Sequence, residues 1–153
     1  VHAFEILCAD PRVVAAAFGA EDFTHDMGIR RVGDESEVGF ARQSMCIAAR
    51  AAGVPALDTP YFSFRDEEGL RVNIAASKQC GFKGKFAIHP MQVDVINEAF
   101  APSVEEIEYA RRVVAAFEEA ERNGRGSTSL DGLVIDVPVV KRAWALLGEV
   151  AGP

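Results

Sequence analysis

Apolar residues along the chain fall into two patterns, short continuous runs and positions spaced by three or four. The runs at 13–18 and 54–58 and the segment Phe86-Ala87-Ile88-His89 are bounded by Pro or Gly, which predicts three buried strands. Gly19 closes the first, Thr59-Pro60 the second, and Pro90 follows the third as the first residue of a short helix. Val38, Ala41, Met45, Ala48 and Ala52 recur at helical spacing, predicting a helix from Ser36 or Glu37 to Ala52 with Gly53 as its C-cap. A loop carrying Tyr61, Phe62 and Phe64 then leads to a helix over 67–80, stopped by Gly81. Residues 1–9 read as the tail of a helix under way before Val1 and ended by Pro11. The stretch 19–28 reads as an acidic turn, continued by a polar loop through Arg30, Arg31 and Asp34. Strand and helix alternate at intervals of roughly 30 to 40 residues, the rhythm of βα units in a parallel α/β sheet.

After Phe100 the character changes, dividing the chain into 1–101 and 102–153. Ser103 and Glu106 have capping-box spacing at the start of a helix running to about Arg122. Ile107, Ala110, Val114 and Phe117 form its inner face, and Gly124 terminates it. Residues 123–129, rich in Gly, Ser and Thr, read as a flexible linker. Asp131-Gly132 then makes a turn, 133–135 a short strand, and Pro138 opens a last helix with Trp144, Leu146 and Leu147.

Composition narrows the class. The 153 residues suffice for one domain, and 49% apolar with 25% charged residues is the balance of a soluble globular protein. A net charge of −7 excludes the basic footprint of a nucleic-acid binder. No apolar run approaches the roughly 20 residues that span a bilayer, and no basic-then-apolar leader is present, so a cytoplasmic location with no membrane partner is expected. Cys8, Cys46 and Cys80 lack metal-ligand spacing and are expected to be buried free thiols. The start at Val1 suggests a fragment or a processed product.

Two stretches carry candidate chemistry. At the carboxyl end of the first strand, where parallel sheets bind ligands, Asp22 could ligate Mg²⁺ through hard carboxylate oxygen. Glu21 would point to the opposite side if the chain is still extended, so a second carboxylate would have to come from elsewhere. The N–H groups of Ala20, Glu21 and Asp22 could cradle an anion or enolate oxygen. The alternative is a solvated acidic loop. The second stretch, Gly81-Phe82-Lys83-Gly84-Lys85, has two glycines and two lysines that could approach a phosphate. The glycines precede a strand rather than a helix, which favours a tight turn. His89, at a strand end, reads as an orienting hydrogen-bond partner more readily than a proton-transfer group. Asp136 reads equally as an N-cap carboxylate. His25 is expected to be solvated.

Several motifs stand in order along the chain: Gly19-Ala20-Glu21-Asp22-Phe23 with Asp26-Met27-Gly28, Ala56-Leu57-Asp58-Thr59-Pro60-Tyr61, and Gly81-Phe82-Lys83-Gly84-Lys85 with Ile88-His89-Pro90-Met91-Gln92. Pro102-Ser103 with Glu105-Glu106-Ile107, and Asp131-Gly132 with Ile135-Asp136-Val137-Pro138, continue the series. In this order they resemble the citrate lyase beta-subunit and malyl-CoA lyase group of the HpcH/HpaI-type superfamily. The resemblance implies the C-terminal part of a (β/α)₈ barrel, about three βα units, followed by a helical extension. It implies a Mg²⁺-dependent lyase cleaving a citryl-, malyl- or citramalyl-type thioester of coenzyme A or an acyl carrier into an acyl thioester and a 2-oxo acid. By position, Asp22 would bind the metal and the amides of Ala20, Glu21 and Asp22 the oxo acid. Ile88, His89 and Pro90 would line the thioester channel. Asp136 would be the acid/base, reaching a neighbouring subunit of a homo-oligomeric trimer or hexamer. A complete barrel takes about 250 residues, and the group's other metal carboxylate and substrate arginine lie on earlier strands. A non-catalytic fragment or an accessory binding subunit on the same scaffold is the alternative.

Overall fold

A computed structural model describes residues 1–151 and divides the chain into two compact units, Val1–Phe100 and a second beginning at Ala101. The first unit is built on a three-stranded parallel sheet, β1 (Ala16–Ala17), β2 (Ala56–Asp58) and β3 (Gly84–Lys85), in that spatial order. Register pairs Ala16 with Ala56, Leu57 with Gly84 and Asp58 with Lys85. Side chains alternate across a strand, so Ala16, Ala56, Asp58 and Lys85 share one face. That face is buried. Ala16, Phe18 and Ala56 pack with Val38, Cys46, Ala49 and Phe82 in the main core cluster. On the opposite face Ala17 is exposed and Leu57 half-buried. The chain is therefore α/β with a parallel sheet, as its pattern predicts.

The helices are α1 (Ala3–Leu7), α2 (Ala20–Met27), α3 (Gly39–Ala52), α4 (Glu67–Cys80) and α5 (Met91–Phe100), with one 3₁₀ turn at Ser36–Val38. Helix α4 lies where its pattern predicts, capped by Asp66, whose carboxylate accepts the Gly69 N–H. Helix α1 is a five-residue piece with His2 as its N-cap. Five expectations need correction. The acidic stretch after β1 is the helix α2, not a loop. Glu21 and Asp22 sit in its first turn, where negative charge suits the helix dipole, and Gly28 closes it at φ 65°. The third strand is Gly84–Lys85 rather than 86–89. Phe86 still donates to the Asp58 carbonyl at 3.1 Å, but the Ile88 and His89 amides turn to the Gln92 side chain and leave the ladder.

The buried face of α3 is displaced by one residue from the predicted stripe, to Arg42, Cys46 and Ala49. A charged residue faces the core there because it has a buried partner, described below. Cys8 is exposed and Cys80 only partly buried, so of the three free thiols Cys46 alone is fully buried.

The second unit contains α6 (Val104–Arg122), an antiparallel hairpin of β4 (Thr128–Leu130) and β5 (Leu133–Ile135), and α7 (Val137–Ala151). The predicted capping box is formed: Ser103 accepts the Glu106 N–H at 3.1 Å, and Glu106 accepts the Ser103 N–H at 2.8 Å. The last two residues of the segment expected to be a flexible linker, Thr128 and Ser129, are strand. Asp131 and Gly132, at φ 51° and 79°, form the left-handed two-residue turn that suits a tight hairpin, and this recruits Thr128–Leu130. Ala110, Val113, Phe117, Ile135, Val140 and Ala143 make the core of this unit. Ser103→Ala should lower stability by about 1 kcal/mol, read as a shift in denaturant midpoint without a change in slope.

Candidate functional site

The carboxyl ends of the three strands lead into three short segments of different character. After β1 the chain enters the first turn of α2, where Phe23 donates the first intrahelical bond, to Gly19 at 3.0 Å. The amides of Ala20, Glu21 and Asp22 precede that bond, as the first N–H groups of any helix do. Ala20 is fully buried, and its N–H lies 3.4 Å from the hydroxyl of buried Thr59, just past β2. The Glu21 and Asp22 amides have no acceptor among the described residues. The Glu21 carboxylate pairs with Arg31 Nε at 2.9 Å. Asp22 is exposed and has no hydrogen-bond or ion-pair partner among the described residues. Its Oδ2 lies 3.5 Å from where a Cβ on Gly19 would stand, so the carboxylate folds back over the helix start.

After β3 the chain presents Ile88, His89 and Pro90, the first and last exposed. Gln92, buried on α5, accepts from the Ile88 N–H at 2.9 Å and the His89 N–H at 3.2 Å. Its Nε2 donates to the Tyr61 carbonyl at 2.7 Å, in the loop after β2. The His89 ring stacks on Phe64 at 4.6 Å and 18°, and the Arg65 guanidinium lies 5.3 Å from the Phe64 ring centre. Met91 N–H points at His89 Nδ1, 3.2 Å away. In the neutral ring Nδ1 is then the acceptor and Nε2 carries the proton. His89 is thus set up to donate a hydrogen bond. Asp136 lies in the second unit, where its Oδ1 accepts the Val139 N–H at 3.2 Å and caps α7. His25 is exposed in the last turn of α2. The structure brings Glu21 and Asp22 together on one helical turn and Ile88, His89 and Pro90 together on one loop.

Behind these segments lies a charged cluster that sequence reasoning missed. Asp58 Oδ2 accepts from Arg42 Nη2, from Ser77 Oγ and, at 2.9 Å, from Lys85 Nζ. Asp58 and Ser77 are wholly buried, as are nearly all of Arg42 and Lys85. Arg42 Nη1 reaches Glu35 at 3.0 Å, which also accepts from Asn73 at 2.9 Å and from Arg31 at 3.0 Å. Glu35 itself sits at φ 56°, a left-handed conformation costly for a side chain. Its three donors hold it there. Arg31 continues to Glu37 and Glu21, so one run of charge contacts joins β3 to the first turn of α2. The available signals were Asp58 ending an apolar strand, and Arg42 preceding Cys46 and Ala49 by four and seven residues. Lys85, read as part of a tight turn before the third strand, is a strand residue committed to Asp58.

Burial alone would raise the Asp58 pKa. The Lys85 charge, the Ser77 hydroxyl and the Arg42 charge outweigh it and hold the group below its usual 3.8. For Lys85 burial wins and lowers the pKa, because one acceptor compensates an ammonium less than three donors compensate a carboxylate oxygen. Burial pushes the Cys46 thiol up to about 11, which leaves it unreactive. Among the described residues no group of three or more His, Cys, Asp or Glu side chains could hold a metal ion. No helix among them is long and apolar enough to cross a membrane.

A three-stranded parallel sheet whose strands lead into helices makes this an α/β protein. The chain belongs to the HpcH/HpaI aldolase/citrate lyase family, whose model matches residues 1–90. A citrate lyase subunit beta from Leuconostoc mesenteroides subsp. cremoris is 43% identical over 147 residues, covering 96% of this chain and 49% of that protein. A mitochondrial citramalyl-CoA lyase from Mus musculus is 39% identical over 137 residues, 90% of this chain and 39% of that protein. The crystal structure of the CitE protein from Mycobacterium tuberculosis, in complex with magnesium, acetoacetate and coenzyme A, superimposes with a TM-score of 0.80 at 35% identity. It covers 95% of this chain and 54% of that one. The chain spans about half the length of the curated relatives it matches first, 49% and 50% of two citrate lyase beta subunits.

Asp58→Asn leaves two buried cations facing a neutral amide and should cost about 3–5 kcal/mol at pH 7. Because the folded pKa of Asp58 lies below the unfolded value near 3.8, its contribution is full above that value and lost as pH falls through the folded pKa. The gap between wild type and Asp58→Asn should therefore narrow below about pH 3.8, as measured by denaturant unfolding at a series of pH values.

Proposed function

We propose that this chain is the C-terminal part of a Mg²⁺-dependent carbon–carbon lyase built on a (β/α)₈ barrel, with the second unit as its C-terminal extension. The substrate class is a 3-hydroxyacyl thioester of citryl, malyl or citramalyl type, carried on coenzyme A or an acyl carrier, cleaved to an acyl thioester and a 2-oxo acid. The observation that carries the reading is Asp22, partnerless and exposed beside two open helix amides at the end of a parallel strand. The citrate lyase and citramalyl-CoA lyase relatives support it, as does the CitE structure with magnesium and coenzyme A.

The residues present fit Mg²⁺ as part of a site. The ion takes hard carboxylate oxygen from one or two side chains and keeps several waters, and Asp22 offers one such oxygen donor. Glu21, engaged by Arg31, is not a ligand but holds the turn. When bound, the ion would supply Lewis-acid polarisation of the oxo-acid oxygens. The hydroxyl proton leaves to a base, and the Glu21 and Asp22 amides would hold the oxo-acid fragment as the substrate C–C bond breaks and the hydroxyl-bearing carbon becomes a carbonyl. The bond's electron pair passes to the α-carbon of the acyl thioester, which then takes up a proton. Asp136, with Oδ1 occupied by its cap bond, would exchange protons at Oδ2 in a neighbouring subunit's site. Ile88, His89 and Pro90 would line the thioester channel, His89 donating from Nε2. A cytoplasmic trimer or hexamer is the assembly this reading implies. Asp22 is the one candidate metal carboxylate at this edge among the described residues, which favours one other reading, an accessory subunit that binds without catalysis.

In the full-length protein Asp22→Ala should reduce Mg²⁺-dependent turnover by at least a hundredfold, and unchanged activity would remove Asp22 from the metal site. Asp136→Asn should lower kcat sharply while leaving the Mg²⁺ activation constant as in wild type. Full activity in that variant would return Asp136 to capping alone.

A further inference from the structure

Strand pairing between β2 and β3 ends with the Phe86 N–H donating to the Asp58 carbonyl. Beyond that bond, the amide of Gln92 joins the loop after β2 to the loop after β3 by hydrogen bonds, beside the stack of His89 on Phe64. It is 1% exposed and uses both ends: Nε2 donates to Tyr61 O at 2.7 Å, and Oε1 accepts from Ile88 and His89 at 2.9 and 3.2 Å. The orientation of this amide is forced, because a flipped group would set its NH₂ against two N–H donors and its oxygen against a carbonyl. The bond from Met91 N–H to His89 Nδ1 and the stack on Phe64 then fix the ring whose backbone Gln92 holds.

We infer that Gln92 is a positioning residue that sets the spacing of the two loops and aims His89 Nε2 at the thioester carrier. The inference rests on the proposed lyase reading for the identity of that ligand. Gln92 touches no substrate. It acts through Ile88 and His89, and it lies on α5 whereas Asp22 lies on α2, so its effect separates from metal binding. Gln92→Glu keeps the acceptor for the two amides but sets a carboxylate oxygen against the Tyr61 carbonyl. Gln92→Leu removes all three bonds.

The test uses the full-length protein, with acetyl-CoA as the probe, titrated by calorimetry alongside Mg²⁺. Gln92→Glu should weaken acetyl-CoA binding about tenfold, the scale of one buried hydrogen bond, while Mg²⁺ affinity stays at the wild-type value. Nitrogen NMR of His89 should report the Nε2–H tautomer in wild type and a mixture in Gln92→Leu. Equal acetyl-CoA affinity in wild type and Gln92→Glu overturns the inference, as does wild-type protein that does not bind acetyl-CoA. Parallel loss of acetyl-CoA and Mg²⁺ affinity also overturns it, since that is the signature of general structural damage. Failure of the lyase reading shows separately, as absent turnover in a wild-type protein that still binds acetyl-CoA.

Discussion

A single carboxylate oxygen, Asp58 Oδ2, collects a guanidinium from α3, a hydroxyl from α4 and an ammonium from β3. The sheet it sits in is small, with two strands of only two residues each. So short a ladder fixes little register by itself. A buried charge with three donors from three elements is intolerant of misplacement, because each lost contact leaves an uncompensated ion in the interior. The cluster therefore acts less as a source of net stability than as a device that selects one arrangement of two helices on three strands. Gly84 completes it: a Cβ there would come within 2.9 Å of Leu57 Cδ2, so the small residue lets β3 lie close beside β2.

From that anchor the order reaches the carboxyl edge of the sheet by two routes. One is ionic, from Arg42 through Glu35 and Arg31 to Glu21, and it holds the first turn of α2. The other is made of neutral hydrogen bonds, from Thr59 to Ala20 and from Gln92 to Tyr61, Ile88 and His89. Asp22 takes part in neither. A carboxylate that the scaffold leaves alone, beside amides that the helix start cannot satisfy, is suited to an external cation and its bound oxyanion.

Elements with strong local signals were legible in the sequence. Helix α4 has Asp66 before it and Gly81 after it, and α6 has its capping box; both lie where their punctuation puts them. The βα rhythm also gave the parallel sheet. What was illegible depended on partners distant in sequence. Arg42 looks like a solvent-facing residue until Asp58 is brought across from β2, and this displaced the buried stripe of α3. The strand over 86–89 failed because Gln92, four residues on, takes the amides of Ile88 and His89. The acidic stretch read as a loop became α2 because Gly28 offered a C-cap and the carboxylates suited the helix start, signals present in the sequence but outweighed by the charge density. Of the candidate site, strand-end logic singled out Asp22, which stands just past β1 in the first turn of α2, whereas the engagement of Glu21 by Arg31 was not legible. Asp136 is ambiguous in sequence because capping and proton transfer ask for the same residue type.

The central claim is that this carboxyl edge serves metal-dependent cleavage of a thioester. Turnover of citryl-, malyl- and citramalyl-thioesters by the full-length protein, with Mg²⁺ and after chelation, addresses it directly. The account predicts release of a 2-oxo acid from one of them, dependent on Mg²⁺ and abolished by chelator. Cleavage undiminished by chelator, or no cleavage of any of the three with Mg²⁺ present, would contradict it.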